Sequence, residues 1–170
     1  MRIREVARVI ILDALEAVLL VRYEENGSSY WVPPGGALEP GEDHRAAAAR
    51  ELAEETGLSA EIGDELWERR FDLVMSEETV DQIERYFLVR VNTKAPSVRN
   101  WSSESIVEHR WWDLDELARS NELIYPERLI EELDRTVKGD QEARMQAAGG
   151  REAVLATQFA APYTPVPSAS

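Results

Sequence analysis

Between Pro33 and Leu58 the chain reads PPGGALEPGEDHRAAAARELAEETGL, and this stretch constrains the fold more than any other. The Pro-Pro pair ends a short strand, Tyr30–Val32, and the glycines after it admit backbone conformations closed to other residues. Asp43–Thr56 then reads as one helix with Gly57 as its stop. Runs rich in β-formers lie on both sides. Val6–Leu12 and Ala17–Arg22 form a hairpin joined by Asp13–Glu16, and Glu24–Ser29 is a second turn. After the helix come one or two strands around Trp67–Met75. The clearest strand is Asp81–Val91, where Ile83, Phe87, Val89 and Val91 share a face interrupted only by Arg85. Ile106–Leu114 returns as a strand, Asp113–Ser120 is a short helix, and a longer helix begins at Pro126 and stops at Gly139. Strands, one helix, more strands and then helices imply an α/β domain with a mixed sheet.

A chain of 170 residues suffices for one domain with a real core. We expect that domain to span residues 1–139, with 140–170 an Ala/Pro/Ser-rich tail that is flexible or partner-dependent. No apolar run is long enough to span a bilayer. The N-terminus reads poorly as a signal peptide, because Glu5 sits among its arginines and Asp13 and Glu16 break its apolar run. The absence of cysteine removes disulfides and thiolate metal sites, leaving a cytoplasmic enzyme or binding module as the default. A net charge of −14 repels nucleic acid and anionic lipid, so neither nucleic acid nor membrane is an expected partner. A small phosphorylated ligand would need a local cation.

The helix carries the chemistry. At about 100° per residue, Glu51, Glu54 and Glu55 fan over roughly 100° of one face, while Ala49, Leu52, Ala53 and Thr56 form the opposite, sheet-packing face. Ala47, one turn before Glu51, leaves room for a ligand. Like charges at i and i+4 cost about 0.2–0.5 kcal/mol in a bare helix, a sign that a divalent cation reverses. An acidic cluster is ordinarily a solvated face. Here Gly35 and Gly36 let a carbonyl or a phosphate approach closely, and Arg50, four residues before Glu54, can hold a carboxylate in place. Carboxylate oxygens suit Mg²⁺ or Mn²⁺.

Gly36, Glu42, Arg50-Glu51, Leu52, Glu54-Glu55, Gly57 and Leu58 fall at every fixed position of the signature of the Nudix hydrolase family, which the chain resembles over roughly Val6–Lys138. The resemblance implies an α/β/α sandwich with a mixed sheet. It further implies a pyrophosphohydrolase that cleaves a nucleoside diphosphate linked to another moiety. Carried over by position, Glu51, Glu54, Glu55 and the carbonyl of Gly35 would bind Mg²⁺. Arg50 would orient the glutamates and Glu42 would brace the loop. Glu51 is the first choice for the base. Many relatives use a loop glutamate instead, for which Glu104 is best placed, with Glu108 and Glu84 as competitors.

Other residues carry less. His44 and His109 are each isolated and read as surface or packing groups. Trp31, Trp111 or Trp112 could stack on a base, although one of the last two must face the core. Arg22, Arg69, Arg70 and Arg85 are candidates for substrate phosphates. Ser59–Ser76 contains neither Pro nor Tyr, so specificity for dinucleoside polyphosphates, ADP-ribose or NADH receives no support. A nucleoside triphosphate or another nucleotide derivative stays open. The alternatives are a non-catalytic nucleotide-sensing module, which commonly lacks these carboxylates, and an isoprenoid diphosphate isomerase, which typically adds a cysteine. Relatives are often homodimers, and the tail could pack on a second copy, although disorder is the simpler reading of it.

Overall fold

The computed structural model describes residues 1–99 and 105–155, the last seven as helix backbone. Strand β1 (Arg2–Leu12) is the axis of the fold, and β2 (Val18–Glu25) returns from it as the expected hairpin. They are followed by β3 (Ser28–Val32), β4 (Gly35–Ala37), helix α1 (His44–Thr56), β5 (Glu65–Met75), β6 (Glu78–Arg90) and β7 (Ile106–Trp112). Helices α2 (Leu114–Arg119) and α3 (Leu129–Leu155) close the chain. The described strands form one mixed sheet, ordered β3-β2-β1-β6-β5, with β4 paired to β1 and β7 to β2. β1 runs parallel to β6 along its whole length, whereas the other pairings are antiparallel.

From Val6 to Leu12, β1 reads as an apolar run broken only by Arg8, because both of its faces are covered there. Ala7, Val9 and Ile11 meet Ala47, Ala48 and Leu52 of α1 together with Phe87 and Val89. Ile10 and Leu12 point the other way, into a core with Trp31, Trp112 and Leu114, Leu117, Leu129, Leu133 and Val137 from α2 and α3. Helices on both faces of one sheet give the α/β/α sandwich. Among the described residues no helix is long and apolar enough to cross a membrane.

Three expectations are corrected. First, α1 is rotated from the anticipated face. Ala47 and Ala48 are fully buried with Leu52 and Thr56, while Ala49 and Ala53 are exposed. The sheet therefore reaches around to the carboxylate side, burying Glu51 and Glu55 as well. Second, Gly139 does not end the last helix. A helical glycine costs about 1 kcal/mol relative to alanine, and ion pairs in the next turn offset it. Arg90 holds Asp140, and Arg144 approaches Glu16 at 3.8 Å. Third, the buried face of β6 beyond Phe87 is not that of Ile83 and Arg85 but that of Val80, Gln82, Glu84 and Tyr86.

Candidate active site

Helix α1 is placed by its ends. The Asp43 side chain caps it, accepting from the Ala46 N–H at 2.7 Å, and Gly57 leaves it in the left-handed conformation at φ 70°. Between these ends Arg50 organises the acidic face. Its Nε and Nη2 donate to the two Glu42 oxygens, each at 2.9 Å. Nη1 donates to Glu51 at 2.7 Å and Glu54 at 3.1 Å, and Nη2 also donates to the Ala37 carbonyl at 3.0 Å. Glu42 in turn accepts from the Glu39 N–H at 2.7 Å. The hydrogen bonds from Arg50 hold the Glu42 carboxyl below its ordinary range, so Glu42 fastens the loop to the helix.

The β4 glycines fit the carboxylates closely. A Cβ on Gly36 would lie 2.3 Å from Oε1 of Glu51, and one on Gly35 would lie 2.2 Å from the Ala7 carbonyl. The Gly35 N–H donates to Oε2 of Glu55 at 3.1 Å, and the Tyr23 hydroxyl meets Oε1 of Glu55 at 3.3 Å. Burial first, and then the charge of Glu51, push the Glu55 carboxyl up to about 7. Burial also raises Glu51 against the opposing pull of Arg50. Glu54 is the exposed member of the three.

No three Asp, Glu or His side chains among the described residues form a ready-made metal cage. The donor set nevertheless fits Mg²⁺, which binds through one or two carboxylates and keeps waters and substrate phosphates as its other ligands. Burial raises both carboxyls, with the Glu54 charge adding to Glu51 and the Glu51 charge to Glu55, and a divalent cation would relieve both.

Beside this cluster, on the α3 side of the sheet, a cavity of about 460 Å³ is lined by Arg8, Tyr30, Arg69, Phe71, Glu84 and Tyr125, among others. Arg8 joins the two parts. It pairs in register with Gly35, donates to the Pro33 carbonyl at 3.0 Å and to Glu84 at 3.1 Å, and its charge lowers the carboxyls of Glu51 and Glu55.

The NUDIX domain profile matches residues 2–133. The chain belongs to the NUDIX family. It is 31% identical over 103 residues to nucleoside diphosphate-linked moiety X motif 6 of Mus musculus, an alignment covering 61% of this chain and 32% of that protein. It is 29% identical over 133 residues to an RNA pyrophosphohydrolase of Erythrobacter litoralis, covering 70% and 81% respectively. The chain thus spans about a third of the mouse relative's length. A solved Caenorhabditis elegans Ap4A hydrolase complex superposes with a TM-score of 0.62 at 22% identity, over 80% of this chain and 98% of that one, which shows the Nudix fold.

Within this NUDIX domain the anticipated residues separate into three groups. Gly35, Glu51 and Glu55 come together, and Arg50 links Glu51 and Glu54. Glu108 pairs with Arg22 at 2.9 Å, and Glu84 lies in the cavity, held by Arg8, Gln82 and Tyr86. Burial opposes the charge on Glu84, yet Arg8, Tyr86 and Arg69 together hold its carboxyl below the usual range, so it is a poor base. Glu104 lies outside the described residues.

Trp31, Trp111 and Trp112 do not offer a stacking platform. Trp31 and Trp112 are buried edge to face, 5.2 Å apart, and Trp111 donates to the Pro96 carbonyl. Tyr30, Phe71 and Tyr125 line the cavity instead. His44 packs near Glu5, and His109 Nε2 lies 2.7 Å from the Glu55 carbonyl. Sequence reasoning missed Tyr23, Arg8 and the row that Gln82 and Tyr86 form with Glu84, itself named only as a competing base. The signal for the row was the period-two spacing of Val80, Gln82, Glu84 and Tyr86, with Arg4 and Arg8 on the same face of the otherwise apolar β1.

Proposed function

We propose that the chain is a Mg²⁺-dependent Nudix pyrophosphohydrolase, with Mn²⁺ as a substitute, acting on a nucleoside diphosphate linked to another moiety. The observation that carries this reading is the burial of Glu51 and Glu55 beside two glycines, where a Cβ on Gly36 would collide with Glu51 and one on Gly35 with the β1 backbone. A structural helix has no use for two desolvated carboxylates whose proton affinity burial and neighbouring glutamates raise. The relatives' names, RNA pyrophosphohydrolase among them, support cleavage of a phosphoric anhydride.

In this reading Glu51, Glu54, Glu55 and the Gly35 carbonyl hold the metal. When bound, Mg²⁺ would neutralise pyrophosphate oxygens and lower the pKa of a coordinated water. Arg50 fixes the carboxylates of Glu51 and Glu54 relative to the Ala37 loop, so that little reorganisation is needed when substrate arrives. Gly35 and Tyr23 fix Glu55 through both of its oxygens. Glu51 takes the proton of the attacking water, and Glu104 is the competing base. Arg8, between cluster and cavity, counters the charge of the transferring phosphate.

The test is a panel of nucleoside triphosphates and nucleotide diphosphate derivatives incubated with the protein and Mg²⁺. At least one should release a nucleoside monophosphate. Tight binding of a panel member without turnover of any would replace this reading with a nucleotide sensor.

A further inference from the structure

Four arginines stand out in the sequence as candidates for substrate phosphates, and three are committed elsewhere. Arg22 pairs with Glu108 at 2.9 Å, Arg85 with Glu68 at 3.0 Å, and Arg70 grips Asp81 with two donors. Arg69 is different. Its guanidinium lies over the Phe71 ring, 4.1 Å from the centroid, and meets Glu84 as an ion pair at 3.7 Å, beyond hydrogen-bond length. Glu84 is already well supplied with donors. Its Oε1 accepts from Arg8 Nε at 3.1 Å and Gln82 Nε2 at 2.8 Å, and its Oε2 accepts from the Tyr86 hydroxyl at 2.6 Å. Arg4 adds a third guanidinium nearby and donates to the neutral Gln82 side chain. In the first lobe the guanidiniums of Arg8 and Arg69 thus share the single carboxylate of Glu84, with Arg4 close behind, inside a protein of net charge −14. Such a local surplus in a cleft is the arrangement that draws an anion.

Shape supports the same conclusion. The cavity beside the carboxylates continues into a second lobe of about 480 Å³, lined by Trp67 and Arg128 and also by Glu68, Glu127 and Glu132, of which Glu68 pairs with Arg85 and Glu132 with Arg135. Arg69, Phe71 and Tyr125 belong to both lobes, which places the least committed cation at the junction between two aromatic-walled spaces. An oxyanion there would take charge-assisted hydrogen bonds from a planar guanidinium already oriented by the Phe71 ring.

We infer that Arg69, backed by Arg8, is the cation of a phosphate subsite, and that the substrate's distal moiety carries a phosphate of its own at the junction of the two lobes. The identity of the occupant as a substrate rests on the hydrolase reading above, whereas the anion subsite does not. A small molecule is the occupant, because the field of the whole chain opposes a polynucleotide.

The experiment uses the full chain with a chelator present, so that the carboxylate cluster holds no metal. Binding of adenosine 5′-monophosphate and of adenosine is measured by calorimetry. The monophosphate should bind at least about tenfold more tightly than adenosine. Arg69→Gln should erase that difference without changing adenosine binding, and Arg69→Lys should keep part of it. Equal binding of the two ligands by the wild type overturns the subsite, as does unchanged monophosphate binding by Arg69→Gln. Monophosphate binding that appears only with Mg²⁺ and vanishes in Glu54→Gln assigns the phosphate to the carboxylates and equally overturns it. With a turned-over substrate in hand, Arg69→Gln should raise KM for a phosphorylated distal moiety and leave KM for a neutral sugar moiety unchanged. Failure of hydrolysis alone leaves the metal-free binding result standing.

Discussion

Gly35 and Gly36 are neighbours with different jobs, and the difference is measurable. A Cβ on Gly36 meets the far end of the Glu51 side chain at 2.3 Å, which can swing aside, whereas a Cβ on Gly35 meets the Ala7 carbonyl at 2.2 Å and the Arg8 backbone at 2.8 Å, which cannot. Gly36→Ala should therefore stay within about 1 kcal/mol of wild-type stability in urea unfolding yet lose most turnover, because the carboxylate is displaced. Gly35→Ala should cost about 2–4 kcal/mol. Glu55 makes a second prediction at this scale. Its carboxyl rises from an ordinary 4.5 to about 7 on folding, through burial and the Glu51 charge. The native state therefore holds a proton that the unfolded chain has released between these values, and metal-free stability falls as pH rises through that window. Glu55→Gln should be more stable than metal-free wild type at pH 8, by on the order of 2 kcal/mol, with the gap closing below about pH 4.5. Added Mg²⁺ should narrow the gap at pH 8 by stabilising the wild type alone. Chemical denaturation across pH, with and without Mg²⁺, checks both statements.

At the scale of elements, the hairpin and the boundaries of α1 were legible because period, proline and glycine signals are local. The cap at Asp43 and the exit at Gly57 lie where local chemistry put them. The face of α1 was not legible, since the sheet it packs on is curled by pairings distant in sequence, β1 with β4 and with β6. That is why Ala49 was assigned to the core and Ala47 to the ligand side, the reverse of what the packing dictates. Gly139 failed as a stop for a similar reason. Its neighbours Asp140 and Arg144 reach Arg90 and Glu16 on the sheet, contacts invisible to a window along the chain. Arg90 holds the buried Glu16 through two hydrogen bonds of 3.0 Å, so this corner ties the β1–β2 turn to α3. A chain shortened to end at Gly139 should accordingly unfold several degrees lower than the full chain, corresponding to about 1–2 kcal/mol for a protein of this size. An unchanged melting temperature would remove the tie from the account of stability.

Across the whole molecule, the sandwich leaves one end of the sheet where the carboxylates of α1, the glycines of β4 and the cationic cavity meet through Arg8. The acidic helix face was readable from spacing alone. The cavity was not, because its residues come from β1, β3, β5, β6 and the approach to α3, each contributing one to three side chains. Glu84 illustrates the loss, since the sequence offers it only as a competing base. In the fold its three hydrogen-bond donors and its nearness to Arg69 make it part of the ligand wall rather than a base. On the proposed function this geography divides the labour: the helix would supply the reaction, and the opposite sheet face would select what is attached to the diphosphate. The most direct test of the central claim is kcat at saturating Mg²⁺ for the best panel substrate, compared among wild type, Glu54→Gln and Glu55→Gln. Loss of metal-binding carboxylates predicts a fall of at least about a hundredfold in both variants with native-like circular dichroism. Full turnover by folded Glu54→Gln and Glu55→Gln would contradict it.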